Sequence, residues 1–172
     1  MLIPSALCLK ELDVNVTSAE LEMDSLAVSG EINYDGVSGD VRIWDFECKR
    51  LRISTVSGKV DLSGRIERLS FSSVSGGLRA DALPERCSVE TDTVSGSVEL
   101  RFDGCPGDVE VDSTSGDVTL WLPEDAGFEL DYDSVSGDLD CDFPGLKGVY
   151  GGEALFSIDV STTSGDLNIR KN

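Results

Sequence analysis

The 172-residue sequence predicts an all-β fold, a parallel β-solenoid of about eight coils of roughly twenty residues each. An antiparallel β-sandwich or meander is the alternative. Three observations carry this. A Val/Thr-Ser-Gly-x-Val/Leu phrase returns along the whole chain, and alternating apolar runs flank each copy. No stretch sustains a helical apolar period, while Val, Thr and Ser dominate the repeat positions.

The first copy is degenerate, Thr17-Ser18-Ala19-Glu20-Leu21. Val28-Ser29-Gly30 looks similar but lies nine residues before Gly39, off the period, so Leu26, Val28, Ile32 and Tyr34 read as a second strand of the first coil. The full copies place Ser38-Gly39, Ser57-Gly58, Ser75-Gly76, Ser95-Gly96, Ser115-Gly116, Ser136-Gly137 and Ser164-Gly165 at successive corners. From residue 19 onward the anchors are 20, 19, 18, 20, 20, 21 and 28 residues apart.

Before each Ser-Gly the apolar residues hold one parity, as in Phe128, Leu130, Tyr132 and Ser134. After it they hold the other, as in Val135, Gly137, Leu139, Cys141 and Phe143. Alternation at period two marks strands with one buried face. The slip predicts a bend at which two successive residues, Ser134 and Val135 in that coil, both point inward. Glycine two residues on leaves the corner uncrowded and accepts unusual backbone angles. Connectors such as Leu83-Pro84, Cys105-Pro106-Gly107 and Pro123–Gly127 absorb the length differences.

One domain is expected over 1–172, because each coil buries itself on its neighbours. Within it, 1–11 reads as an N-terminal cap or the remnant of a longer chain, and 144–155 as an insertion in the last repeat. That insertion, Gly145–Gly152, is either a terminal cap or a local binding loop.

The net charge of −19 argues against nucleic acid and anionic membrane as partners. The charge is lopsided: residues 1–86 carry 10 Lys/Arg against 14 Asp/Glu, and 87–172 carry 4 against 19. No segment approaches the roughly 18 apolar residues of a spanning helix, so membrane insertion by this chain is not expected. Five cysteines, with no Cys-x-x-Cys pair and no histidine in the chain, fit a reducing compartment better than a disulfide framework. Cys87 and Cys141 fall on the inward phase.

The opening Leu12–Met23, the recurrent Thr/Val-Ser-Gly-Asp-Val/Leu corners, and the stretch from Lys147–Gly152 into Phe156–Ile169 resemble a bacterial β-strand-repeat "adhesin" family of unknown function. The resemblance covers about residues 12–170. It implies a solenoid-like domain of envelope-related proteins with no catalytic residue, binding a protein, peptide or glycan of the cell envelope. A cytoplasmic or membrane-associated regulatory or assembly domain is the alternative, favoured by the cysteines and by a start without a positive leader region.

Three chemistries are tested on the residues. Serine nucleophiles lack a histidine base and a Gly-x-Ser-x-Gly elbow, so the corner serines read as structural. Outward acids stack as Asp92/Asp112/Asp133 and Glu90/Glu110/Asp131/Asp159, an arrangement open to carbohydrate acid-base work. Their face, however, is expected to be flat and without a cleft, so no enzyme is expected. Asp92, Asp112 and Asp133 are also the candidates for weak Ca²⁺ or Mg²⁺ binding, without a recognisable loop motif. No other cofactor is implied.

Overall fold

The computed structural model describes residues 9–146, 148–151 and 155–172. Of the cap expected over 1–11, residues 1–8 lie outside the described residues, as do Lys147 and 152–154 of the insertion, while 9–11 are strand. The described residues are strands and connectors, with no helix among them.

Sixteen strands follow in chain order. They are β1 (Leu9–Ser18), β2 (Leu21–Asp24), β3 (Val28–Ser38), β4 (Val41–Ser57) and β5 (Val60–Ser75). Then come β6 (Leu78–Leu83), β7 (Ser88–Ser95), β8 (Val98–Phe102), β9 (Val109–Ser115), β10 (Val118–Leu122) and β11 (Phe128–Ser136). The chain closes with β12 (Leu139–Cys141), β13 (Gly145–Leu146), β14 (Val149–Tyr150), β15 (Phe156–Ser164) and β16 (Leu167–Lys171). β4 and β5 run unbroken from one Ser-Gly corner to the next. In the later coils Pro84, Pro106 and Pro123 fall in the connectors, because proline removes a ladder donor.

All pairings are parallel except those of the short β13 and β14. One ladder stacks β1, β3, β4, β5, β7, β9, β15 and β11; the other stacks β2, β4, β5, β6, β8, β10, β16 and β12. The solenoid is therefore parallel, as the period predicts. β3 forms the second rung of its ladder and ends at the Gly39 corner; it is not a second strand of the first coil.

In-register pairing aligns like residues into columns. One is Ile32, Leu51, Leu69, Val89, Val109, Ile158 and Leu130. Across the corner another is Val41, Val60, Leu78, Val98, Val118 and Leu167, all essentially buried. Each buried aliphatic of this kind contributes about 1.5–3 kcal/mol of burial. Cys48 and Cys87 fill the same core as small apolar groups, whereas Cys141, near the end of the stack, is half-buried.

The rung order departs from sequence order at one place. β15 lies between β9 and β11, and β16 between β10 and β12. The final repeat is thus the seventh rung, and the repeat before it is the eighth. To re-enter one rung inside, the chain must first pass around that outer rung. The 28-residue spacing of the last two corners supplies the extra length. On the way it forms the β13–β14 hairpin, whose β14 pairs with the edge of β11. Tyr150 stacks on Phe128 at 5.5 Å there, with Phe143 and Phe156 at 5.4 and 5.8 Å from the same ring.

Candidate functional site

The corner phrase is built for stacking. A Cβ placed on Gly39, Gly58, Gly76, Gly96, Gly116, Gly165 or Gly137 would lie 2.1–2.3 Å from a carbonyl oxygen of the neighbouring corner. Close backbone approach demands glycine at every one of these positions. Unusual torsion does so only at Gly39 and Gly58, whose φ is +129°. Ala19 is tolerated because it lies in the first described rung, where its carbonyl receives Gly39 and no described backbone lies beneath it.

The serines support the same column. Ser38 Oγ donates to Thr17 O and Ser57 Oγ to Val37 O, both at 3.4 Å. The aspartates after glycine have a role the sequence reading missed. Asp40 Oδ1 accepts from Lys59 N at 2.9 Å, Asp117 Oδ1 from Asp166 N at 3.1 Å, and Asp166 Oδ1 from Asp138 N at 2.9 Å. Each carboxylate satisfies the corner N–H of the next rung with a charge-assisted bond. Aspartate recurring after Ser-Gly was the available signal.

The phrase's first residue faces outward, contrary to expectation. Val37, Val56, Val74 and Val94 are each about half exposed, and Val135 is 84% exposed. The parity slip leaves Val and Ser both outside, between an inward Ser/Thr and an inward Gly. In rung four, Ser73 and Gly76 are buried while Val74 and Ser75 are exposed. An apolar residue beside the slip fits either phase, so alternation alone could not place it.

Three columns consequently form a shallow axial groove across all eight rungs, open to solvent and of about 1100 Å³. One wall, in rung order, is Asn15, Asp35, Ser54, Ser72, Asp92, Asp112, Ser161 and Asp133. The other is Thr17, Val37, Val56, Val74, Val94, Thr114, Thr163 and Val135. Between them lie Val16, Gly36, Thr55, Ser73, Thr93, Ser113, Thr162 and Ser134, and where Thr55, Ser73, Thr93, Ser113 and Thr162 are buried the backbone forms the floor. At Gly36 an added Cβ would meet Tyr34 Oη at 2.5 Å, since the tyrosine fills the interior there. Seven rung spacings of about 4.8 Å make the groove roughly 34 Å long.

Where a flat face was expected, the columns leave a shallow groove that stays open to solvent along its length. The acid columns also need correction. Asp92 and Asp112 are neighbours, but Ser161 separates Asp112 from Asp133, because the last repeat occupies the seventh rung. Likewise Asp159 stands between Glu110 and Asp131. The three candidate cation ligands do not converge, and no group of three or more metal-ligating side chains forms among the described residues. No helix among them is long and apolar enough to cross a membrane.

The groove's lining includes neither lysine nor arginine. Across the corner, Arg42, Arg79 and Arg170 are engaged by acids of their own. Arg42 contacts Glu20, Glu22 and Asp40, and Arg170 contacts Asp140 and Asp142 at 2.8 and 3.2 Å. Those contacts raise the pKa of both guanidinium groups and lower that of Asp140.

A parallel β-solenoid with glycine corners and a long surface groove is the class of protein defined here. Comparison of the sequence with family models matches residues 1–170 to the Toastrack DUF4097 family. The chain belongs to that family. No curated protein and no solved structure matches it.

Proposed function

We propose that this protein is a non-enzymatic interaction module, adhesin-like in holding a protein, peptide or glycan of the cell envelope on a rigid solenoid. The groove carries this reading. At about 1100 Å³ it exceeds the 300–1,000 Å³ of ordinary small-molecule clefts and runs the length of the stack. A polymer fits that shape better than a metabolite. Its Ser and Thr residues have no histidine within the chain to act as a base.

Binding without turnover is the expected behaviour. Peptide and glycan arrays should retain the wild-type protein, and Val74→Trp/Val94→Trp, which narrows the groove at exposed positions, should lose that retention with unchanged far-UV circular dichroism. Release of a cleaved product from any retained ligand refutes the non-enzymatic reading. Fractionation of native cells separates an envelope protein from an intracellular assembly domain.

A further inference from the structure

We infer that the groove takes an extended peptide of about ten residues, aliphatic in one half and basic in the other. This rests on the reading of the groove as an interaction surface and adds the chemistry of its occupant.

The two ends of the groove differ. In rungs two to five the outer wall is a continuous stripe of Val37, Val56, Val74 and Val94, each about half exposed. Scattered exposed apolar side chains are ordinary, but four in register form a strip that gains by being covered. In rungs five to eight the opposite wall carries Asp92, Asp112 and Asp133, while the valine wall gives way partly to Thr114 and Thr163. The adjoining column adds Glu90, Glu110, Asp159 and Asp131. The lining itself offers these carboxylates no cation. A ligand bearing Lys or Arg opposite them supplies the missing charge, and one with aliphatic side chains covers the valines.

Other polymers fit less well. Nucleic acid carries the wrong sign. A sugar chain gains most from flat aromatic surfaces, and the lining has no Phe, Tyr or Trp. An extended peptide advances about 3.3 Å per residue, so roughly ten residues span the groove. It crosses the rungs at right angles, where the ladder has already engaged the strand backbones. Side chains must therefore supply affinity and register.

The probe is a fluorescein-labelled ten-residue peptide with valine and leucine in one half and lysine in the other. Anisotropy should report saturable binding that weakens at least tenfold between 50 and 500 mM NaCl, as screened ion pairs require. Asp92→Asn/Asp112→Asn should weaken it at least tenfold, while Glu124→Gln/Asp125→Asn, which removes the same charge from the exposed connector after β10 and outside the groove lining, should change it less than threefold. A peptide with glutamate in place of lysine should not bind.

If the peptide binds equally well to Asp92→Asn/Asp112→Asn, or not at all to the wild type, the inference is overturned. Should a neutral oligosaccharide bind instead and be lost in Val74→Trp/Val94→Trp, the basic-peptide inference falls while the interaction module stands. If binding survives Val74→Trp/Val94→Trp as well, the groove is not the interaction surface and both readings fall.

Discussion

Replacing Gly96 by alanine tests the corner column at the middle of the stack. The new Cβ would sit 2.1 Å from Gly76 O and 2.7 Å from Gly76 C. Ordinary contact begins near 3.4 Å, so the fifth rung must move by more than 1 Å. It has nowhere to go, because Gly116 presses on Gly96 O from the other side, where its own Cβ would lie at 2.1 Å. The displacement stretches the corner bond Leu78 N to Ser97 O, now 3.0 Å, and distorts Gly96 N to Ser115 O and Val98 N to Asp117 O, now 3.3 and 2.9 Å, by crowding the sixth rung. Losing two or three bonds at about 1 kcal/mol each, with about 1–3 kcal/mol of overpacking, gives roughly 4 kcal/mol. For a chain of this size that lowers Tm by about 8–16 °C.

Gly77→Ala is the control. Its Cβ would meet Ser97 O at 3.2 Å, and the same position holds Asp40, Lys59 and Ser97 in other rungs, so a change within about 0.5 kcal/mol is expected. Urea unfolding followed by circular dichroism, with amide exchange to locate the loosened rungs, measures both variants. A Gly96→Ala protein within about 1 kcal/mol of wild type would refute the close-approach argument.

Three further outcomes are expected. Burial pushes the Cys48 and Cys87 thiols up to about 12 from an unfolded value of 9.0, so the fold keeps two protons that the unfolded chain releases between those values. Their stabilising effect is full below pH 9 and fades as pH rises towards 12, so the urea midpoint should fall across that window. Both thiols should also resist a thiol reagent at about pH 8 until denaturant is added; native labelling as fast as that of Cys105 contradicts this. The rung order is read by cross-linking. Asp112→Cys/Ser161→Cys places Cα atoms about 4.8 Å apart and should oxidise to a disulfide, whereas Asp112→Cys/Asp133→Cys, at about 9.6 Å, should not. Peptide mass spectrometry decides, and the reverse result restores sequential stacking.

Much of the fold was legible because its information is local. Ile53, Phe71 and Val111 alternate with polar neighbours in sequence and stack in register in space. The groove was less legible. Asp92 and Asp112 could be aligned from the period, yet Asp35 escaped notice because Ser54 and Ser72 interrupt its column. Valine at 37, 56, 74 and 94 is as apolar as any core residue, so its side of the sheet could not be read from composition.

The sequence by itself determined the parallel solenoid, its corners and the inward columns, since a recurring phrase fixes register wherever one face is buried. It also held the 28-residue spacing without revealing its meaning. Only the tertiary structure decided that the last repeat slips inside the one before it, and that the corner valines face out to wall a groove. Both depend on which rung meets which, and equivalent repeats offer nearly interchangeable partners until the whole stack is assembled.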